Sequence, residues 1–173
     1  MPSLPSPSRV APPVEAWSSR AASSPADDSF LDELYASTRA AEVHSWGFTP
    51  VEAAAFLRDQ ARAQRRSYTL TTPEAEHRLM LVAEVPAGRI IVSDQPASGT
   101  LTISDLAVLP WARGRGLATW AMSNVLDRAA EAGRCVELRV EPHNPARRLY
   151  LRLGFLTFAE DEMRVHMRWR APC

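Results

Sequence analysis

Apolar positions recur with a helical period in the first third of the chain and with a strand period in the middle. Beyond residue 110 the two alternate. After Asp27 and Asp28, the residues Leu31, Leu34, Tyr35 and Thr38 share one helical face. A second helix starts where Thr49, Pro50 and Glu52 make a capping box with proline at its first position; Ala53, Phe56, Leu57 and Ala61 form its apolar stripe. On the same helix Arg58, Arg62, Arg65 and Arg66 read as a solvated face or as a contact for an acidic ligand. Strand-like runs follow at residues 77–85, 88–93 and 100–109, with turns expected at Pro86-Ala87-Gly88 and at residues 94–99. Links this short predict an antiparallel meander, and a weaker signal at residues 14–18 suggests a strand before it.

The third run changes phase. Leu101 and Ile103 alternate with Thr102 and Ser104, yet the next apolar positions are Leu106 and Val108. Alternation cannot change parity without an extra residue, so a β-bulge is expected at residues 104–106; the other reading is a strand end buried on both faces. Residues 115–132 are helical, with Ala118, Met122, Val125, Leu126 and Ala129 on one face and Gly133 as the stop. Residues 135–140 form a strand. A short helix follows, marked by Asn144 as N-cap, Pro145 at its first position and Gly154 past its end; Ala146, Leu149, Tyr150 and Leu153 form its inner face. Two strands, 155–160 and 163–169, close the chain around Asp161-Glu162.

Composition narrows the setting. A chain of 173 residues with 46% hydrophobic and 23% charged residues suits one globular domain, here expected over residues 14–173. Residues 1–13, rich in Pro and Ser, are expected to be a disordered leader without the apolar core of a secretory signal. Lys plus Arg equals Asp plus Glu at 20 each, which argues against nucleic acid or an anionic membrane as the main partner. No apolar stretch reaches membrane-spanning length. Cys135 and Cys173 make neither a disulfide framework nor a metal site, so a reducing cytoplasmic setting is expected. His44, His77 and His166 likewise show no metal spacing, and no metal is expected.

The segment with chemical content is VLPWARGRGLA, residues 108–118. A strand ends, the chain turns through two glycines and a helix begins. The first N–H groups of a helix lack internal partners and lie at the positive end of its dipole, so this geometry suits phosphate oxygens. A dinucleotide fingerprint fits poorly: Thr119 stands where the third glycine belongs, and the segment follows an antiparallel meander. A helix start that merely uses glycine to turn also remains open.

A second block, NPARRLYLRLGF at residues 144–155, lies one strand later. Together the two blocks resemble the GCN5-related N-acetyltransferase (GNAT) family: Arg113 to Ala118 is similar to its R/Q-x-x-G-x-G/A pyrophosphate loop. The resemblance runs from about residue 14 to 170 and is strongest over 101–158. It implies an α/β fold with a mostly antiparallel central sheet, splayed fourth and fifth strands and about four helices. It also implies acetyl-CoA as acyl donor, an amine acceptor and direct transfer in a ternary complex.

By this resemblance, the backbone of Leu106, Ala107 and Val108 pairs with the pantetheine arm. The amides of Arg113, Gly114, Arg115, Gly116, Leu117 and Ala118, with Thr119, take the pyrophosphate. Asn144 helps hold the cofactor arm, although the family's Asn seven residues before the Tyr is here His143. Tyr150 is the implied general acid toward the coenzyme A thiolate; its other reading is a core tyrosine. Asp105, Glu84, Glu141 and His143 are candidates for the base, and Trp46 and Trp111 for an acceptor pocket. The acceptor's identity and a homodimeric state stay open. A non-catalytic acyl-CoA-binding module is the alternative function, and an interaction domain without cofactor a third.

Overall fold

The computed structural model describes residues 16–171, so the expected leader and Cys173 lie outside the described residues. The order of elements is β1 (Trp17–Ala21), α1 (Asp28–His44), α2 (Pro50–Thr71), β2 (Glu76–Val82), β3 (Val85–Gln95) and β4 (Thr100–Val108). Then come α3 (Leu117–Glu131), β5 (Cys135–Val140), α4 (Arg147–Arg152), β6 (Leu156–Glu160) and β7 (Val165–Trp169). Among the described residues seven strands form one sheet in the order β1-β2-β3-β4-β5-β7-β6. Every pairing is antiparallel except β4 with β5.

The run of apolar residues in β2 has a simple cause: both faces of the sheet are covered. Met80 and Val82 enter a core beneath α3 with Ile90, Leu101, Met122 and Phe155, while Leu79 and Leu81 pack with Leu31 of α1 on the other face. Helix α2 starts on a complete capping box: the Glu52 N–H donates to Thr49 Oγ1 and the Thr49 N–H to Glu52 Oε2. Of the four arginines expected on its solvated face, Arg65 instead donates to Asp32 of α1 at 2.6 Å, because the two helices pack side by side.

The meander is present, with one turn displaced. Residues 86–88 belong to β3, and the chain reverses at Ala83 and Glu84, both left-handed (φ 48° and 65°). The register shifts at Ala87, opposite Met80 and Leu81. Gly88 serves close approach rather than a turn: a Cβ there would lie 2.5 Å from the Ala107 carbonyl oxygen and 2.6 Å from Met80 Cε. The first strand is Trp17–Ala21 and continues past the end of the expected run 14–18, of which residues 14 and 15 lie outside the described residues. The closing hairpin enters the sheet with β7 beside β5 and β6 at the edge.

Candidate functional site

The site begins at the phase break. Ile91 pairs with Asp105 and Val92 with Ile103, so Ser104 is the extra residue and the bulge is real. Tyr68 on α2 donates its hydroxyl to the Ser104 carbonyl at 3.3 Å, occupying the acceptor that the bulge takes out of the ladder. The parallel pairing of β4 with β5 runs only from Thr100–Cys135 to Ile103–Leu138. Past the bulge the two strands part. A cavity of about 270 Å³ occupies the fork, lined by Asp105 and Leu106 from β4, Arg139 and Glu141 at the end of β5, Asn144, and Tyr150 from α4.

Beyond β4 the chain passes through a 3₁₀ turn at Pro110–Ala112 to a loop whose glycines are both left-handed, Gly114 at φ 74° and Gly116 at φ 95°. Gly116 is the N-cap residue of α3, so this helix begins two residues later than the periodicity suggests. Among the described residues, no backbone carbonyl accepts from the N–H groups of Gly114, Gly116, Leu117, Ala118 or Thr119. That leaves a run of open donors at the positive end of a helix of 15 residues. The Arg113 side chain does other work: its Nε donates to the Val108 carbonyl at 2.8 Å and ties the loop to the strand end.

Tyr150 is buried, 6% exposed, with its ring 5.9 Å from that of Phe155. Burial, and secondly the charge of Asp105, push its phenol up to about 12. The hydroxyl therefore keeps its proton at every ordinary pH. Asn144 turns its Oδ1 toward the Ala146 N–H at 2.9 Å; helix α4 starts only at Arg147, so neither Asn144 nor Pro145 has the expected helical position. A turn of 3₁₀ bonds, Arg147 N–H to Asn144 and Arg148 N–H to Pro145, covers those residues instead.

Among the candidate bases, Asp105 and Glu141 line the cleft and His143 does not. Glu84 sits in the β2–β3 turn, accepting from Ser18 Oγ at 3.1 Å. Trp46 packs edge-on against Phe56, and neither it nor Trp111 lines the cleft.

Residues that sequence reasoning missed hold Asp105 in place. Arg89 of β3, only 5% exposed, donates from Nε to Asp105 Oδ2 at 2.9 Å and from a terminal nitrogen to Gln64 Oε1 at 3.0 Å. A charged residue beside the apolar run Ile90-Ile91-Val92 was the available signal, since a buried charge requires a partner. Arg164, in the turn of the closing hairpin just before β7, reaches Glu141 at 3.1 Å across the cleft mouth. Among the described residues no group of three or more His, Cys, Asp or Glu side chains is placed to hold a metal. Among them, too, no helix is long and apolar enough to cross a membrane.

Residues 30–155 match the model of the acetyltransferase (GNAT) family. No curated protein matches in sequence. Solved structures match over nearly the whole chain. A protein from Pyrococcus horikoshii superposes with a TM-score of 0.72 at 18% identity, covering 91% of this chain and 100% of its own. The PaiA N-acetyltransferase from Thermoplasma acidophilum, in complex with coenzyme A, gives 0.68 at 12%, covering 90% and 99%. An acetyltransferase from Thermus thermophilus gives 0.65 at 18%, covering 90% and 97%. At these identities the likeness is one of fold.

Proposed function

Since the chain belongs to the acetyltransferase (GNAT) family, we propose that it moves an acetyl group from acetyl-CoA to the amine of an acceptor by direct attack in a ternary complex. The observation that carries this reading is the set of open N–H donors of Gly114 and of Gly116 to Thr119, placed after the end of a strand that has just parted from its neighbour. The donors suit a pyrophosphate. The freed edge of β4 at Leu106, Ala107 and Val108 suits an extended amide-bearing arm, which would pair with it as an added strand. Asn144 stands at the far side of the same fork.

In this reading the acceptor nitrogen attacks the thioester carbonyl, a C–N bond forms and the C–S bond breaks. An ammonium acceptor gives up two protons in all, one ending on sulfur and one in solvent. Asp105 is the carboxylate held ready for the ammonium: Arg89 occupies its Oδ2, and no described residue bonds Oδ1. Tyr150 supports the departing sulfur. Full proton transfer from a phenol near 12 to a thiolate of ordinary pKa, about 8.5, is uphill by roughly 5 kcal/mol. Its first contribution is therefore a hydrogen bond to sulfur as negative charge grows there, with the proton following as the thiolate separates. Cys135 lies on β5 outside the cleft lining, in keeping with transfer that makes no acyl-enzyme.

Calorimetric titration with acetyl-CoA tests the assignment. The wild type is expected to bind, and Gly116→Glu to lose binding. Trp17 lies 3.0 Å from a Cβ at that position, so Gly114→Glu, where no atom lies within 4 Å, is the companion variant. Unchanged affinity in a folded variant would overturn the loop assignment.

A further inference from the structure

A second cavity, of about 380 Å³, opens where α1 and α2 face the parted strands. It shares Asp105, Leu106, Glu141, Asn144 and Arg164 with the cavity that holds Tyr150, so a group lodged in one abuts the contents of the other. Its charges come in opposed sets. Glu42, Asp105 and Glu141 supply three carboxylates, and Arg39, Arg89 and Arg164 three guanidinium groups. A hydrophobic amine placed there would strip these groups of water without replacing their partners. A polycation would meet three arginines.

The arginines are not equally committed. Arg89 is buried and holds both Asp105 and Gln64. Among the described residues Arg39 is paired only with Glu42, at 3.0 Å, and Arg164 with Glu141, at 3.1 Å; all four of these side chains are 40% exposed or more. Exposed pairs of this kind contribute little and exchange readily for another carboxylate. Arg39 also has an Nε that is enclosed and without any hydrogen-bond partner among the described residues. Native structures seldom leave such a donor unmet; closed even to water, it gains an oxygen only when the exposed guanidinium turns from Glu42 toward another carboxylate.

Resting on the acetyl-transfer reading above, we propose that the acceptor is a small amine that also carries a carboxylate, of the free amino-acid class. Its ammonium lies toward Asp105 and Glu141, next to the thioester. Its carboxylate meets Arg39, with Arg164 as second partner, in the charge-assisted geometry that guanidinium favours. The space, roughly a dozen water volumes at about 30 Å³ each, fits a molecule of that size.

The test follows thiol release from acetyl-CoA with the full chain and three matched acceptor sets: free amino acids, the same compounds as carboxamides, and the corresponding decarboxylated amines. At least one free amino acid is expected to exceed its amide and its amine in kcat/KM by at least about 100-fold. Arg39→Ala is expected to bring the acid-to-amide ratio close to one, mainly through KM for the acid, with partial recovery in Arg39→Lys. Arg164→Ala is expected to act in the same direction. Amides or plain amines that match or surpass the acids overturn the proposal, as does an undiminished ratio in folded Arg39→Ala. Calorimetry with acetyl-CoA separates the two layers. Binding without acetylation of any amino acid refutes the acceptor class alone, whereas no binding at all refutes the acetyl-transfer reading beneath it.

Discussion

Replacing Gly88 by alanine adds one methyl group where β3 lies tight against Met80 and the end of β4. The added Cβ would stand 2.5 Å from the Ala107 carbonyl oxygen, 2.6 Å from Met80 Cε and 3.3 Å from Val108 Cα. Gly88 is not left-handed, so alanine meets no backbone strain and the effect is purely steric. Met80 is fully buried and cannot swing away without disturbing the core, and the Ala107 oxygen belongs to the backbone of β4. Relief requires the end of β4 to move by roughly an ångström. Overpacking of this kind costs about 1–3 kcal/mol, and the lower entropy of an unfolded alanine offsets about 0.5–1 kcal/mol. A net loss of about 1–2 kcal/mol lowers Tm by about 2–8 °C in a domain of this size. The displaced stretch is the edge proposed to pair with the pantetheine arm, so acetyl-CoA affinity should fall by about tenfold. The control is Gly99→Ala, left-handed at φ 64° with nothing within 4 Å, which should lose stability but keep its affinity. Thermal unfolding and calorimetry read both quantities. A Gly88→Ala protein with wild-type Tm refutes the packing argument. Lost Tm with intact affinity removes residues 106–108 from the path of the donor.

Tyr150→Phe should keep its affinity for acetyl-CoA and lose about 100-fold in turnover; full activity would make the phenol structural only. Because that phenol is pushed up to about 12, the ratio of wild-type to Tyr150→Phe turnover should stay level from about pH 7 to about pH 10. A ratio collapsing near pH 9 contradicts the buried setting. Thr49→Ala should cost about 1 kcal/mol, or about 2–4 °C in Tm, through the capping box alone; an unchanged Tm means that the cap is replaceable by water. Asp27 accepts from Arg20 at 2.6 and 2.7 Å and from the Ser23 N–H at 2.7 Å, and these bonds hold its carboxyl near 2 rather than 3.8. A depressed folded-state pKa adds stability above the unfolded value that is lost as pH falls from about 4 through about 2, here about 1–2 kcal/mol because Arg20 is partly solvated. The stability gap between wild type and Asp27→Asn should therefore narrow over that window in acid denaturation, and a gap independent of pH would refute the pairing.

Features set by a few consecutive residues were legible in the chain. The Thr49–Glu52 capping box spans four residues and closes on itself, and the structure has it complete. The change of parity after Ile103 pointed to a bulge because alternation is a rigid rule, and Ser104 is that bulge. Local rules also misled where they were outvoted. Pro86-Ala87-Gly88 looked like a turn, yet the reversal uses Ala83 and Glu84, which carry no turn signal. Partners on both sides draw residues 86–88 into β3: Leu81 and Met80 on one strand and Val108 on the other. Asn144 looked like a helix cap and instead closes a tighter turn on Ala146.

The family, the open strand, the glycine loop and the tyrosine beside them could all be read along the chain, because each rests on spacing within one or two adjacent elements. The charged groups around the proposed acceptor site come together only on folding. Arg39, Gln64, Arg89, Asp105 and Arg164 lie on five elements or their ends and converge only when the helices pack on the sheet and the closing hairpin inserts β7 beside β5. A charge pair between residues that distant in the chain leaves no periodicity to read. Its partners are selected by burial, which exists only once the chain has folded.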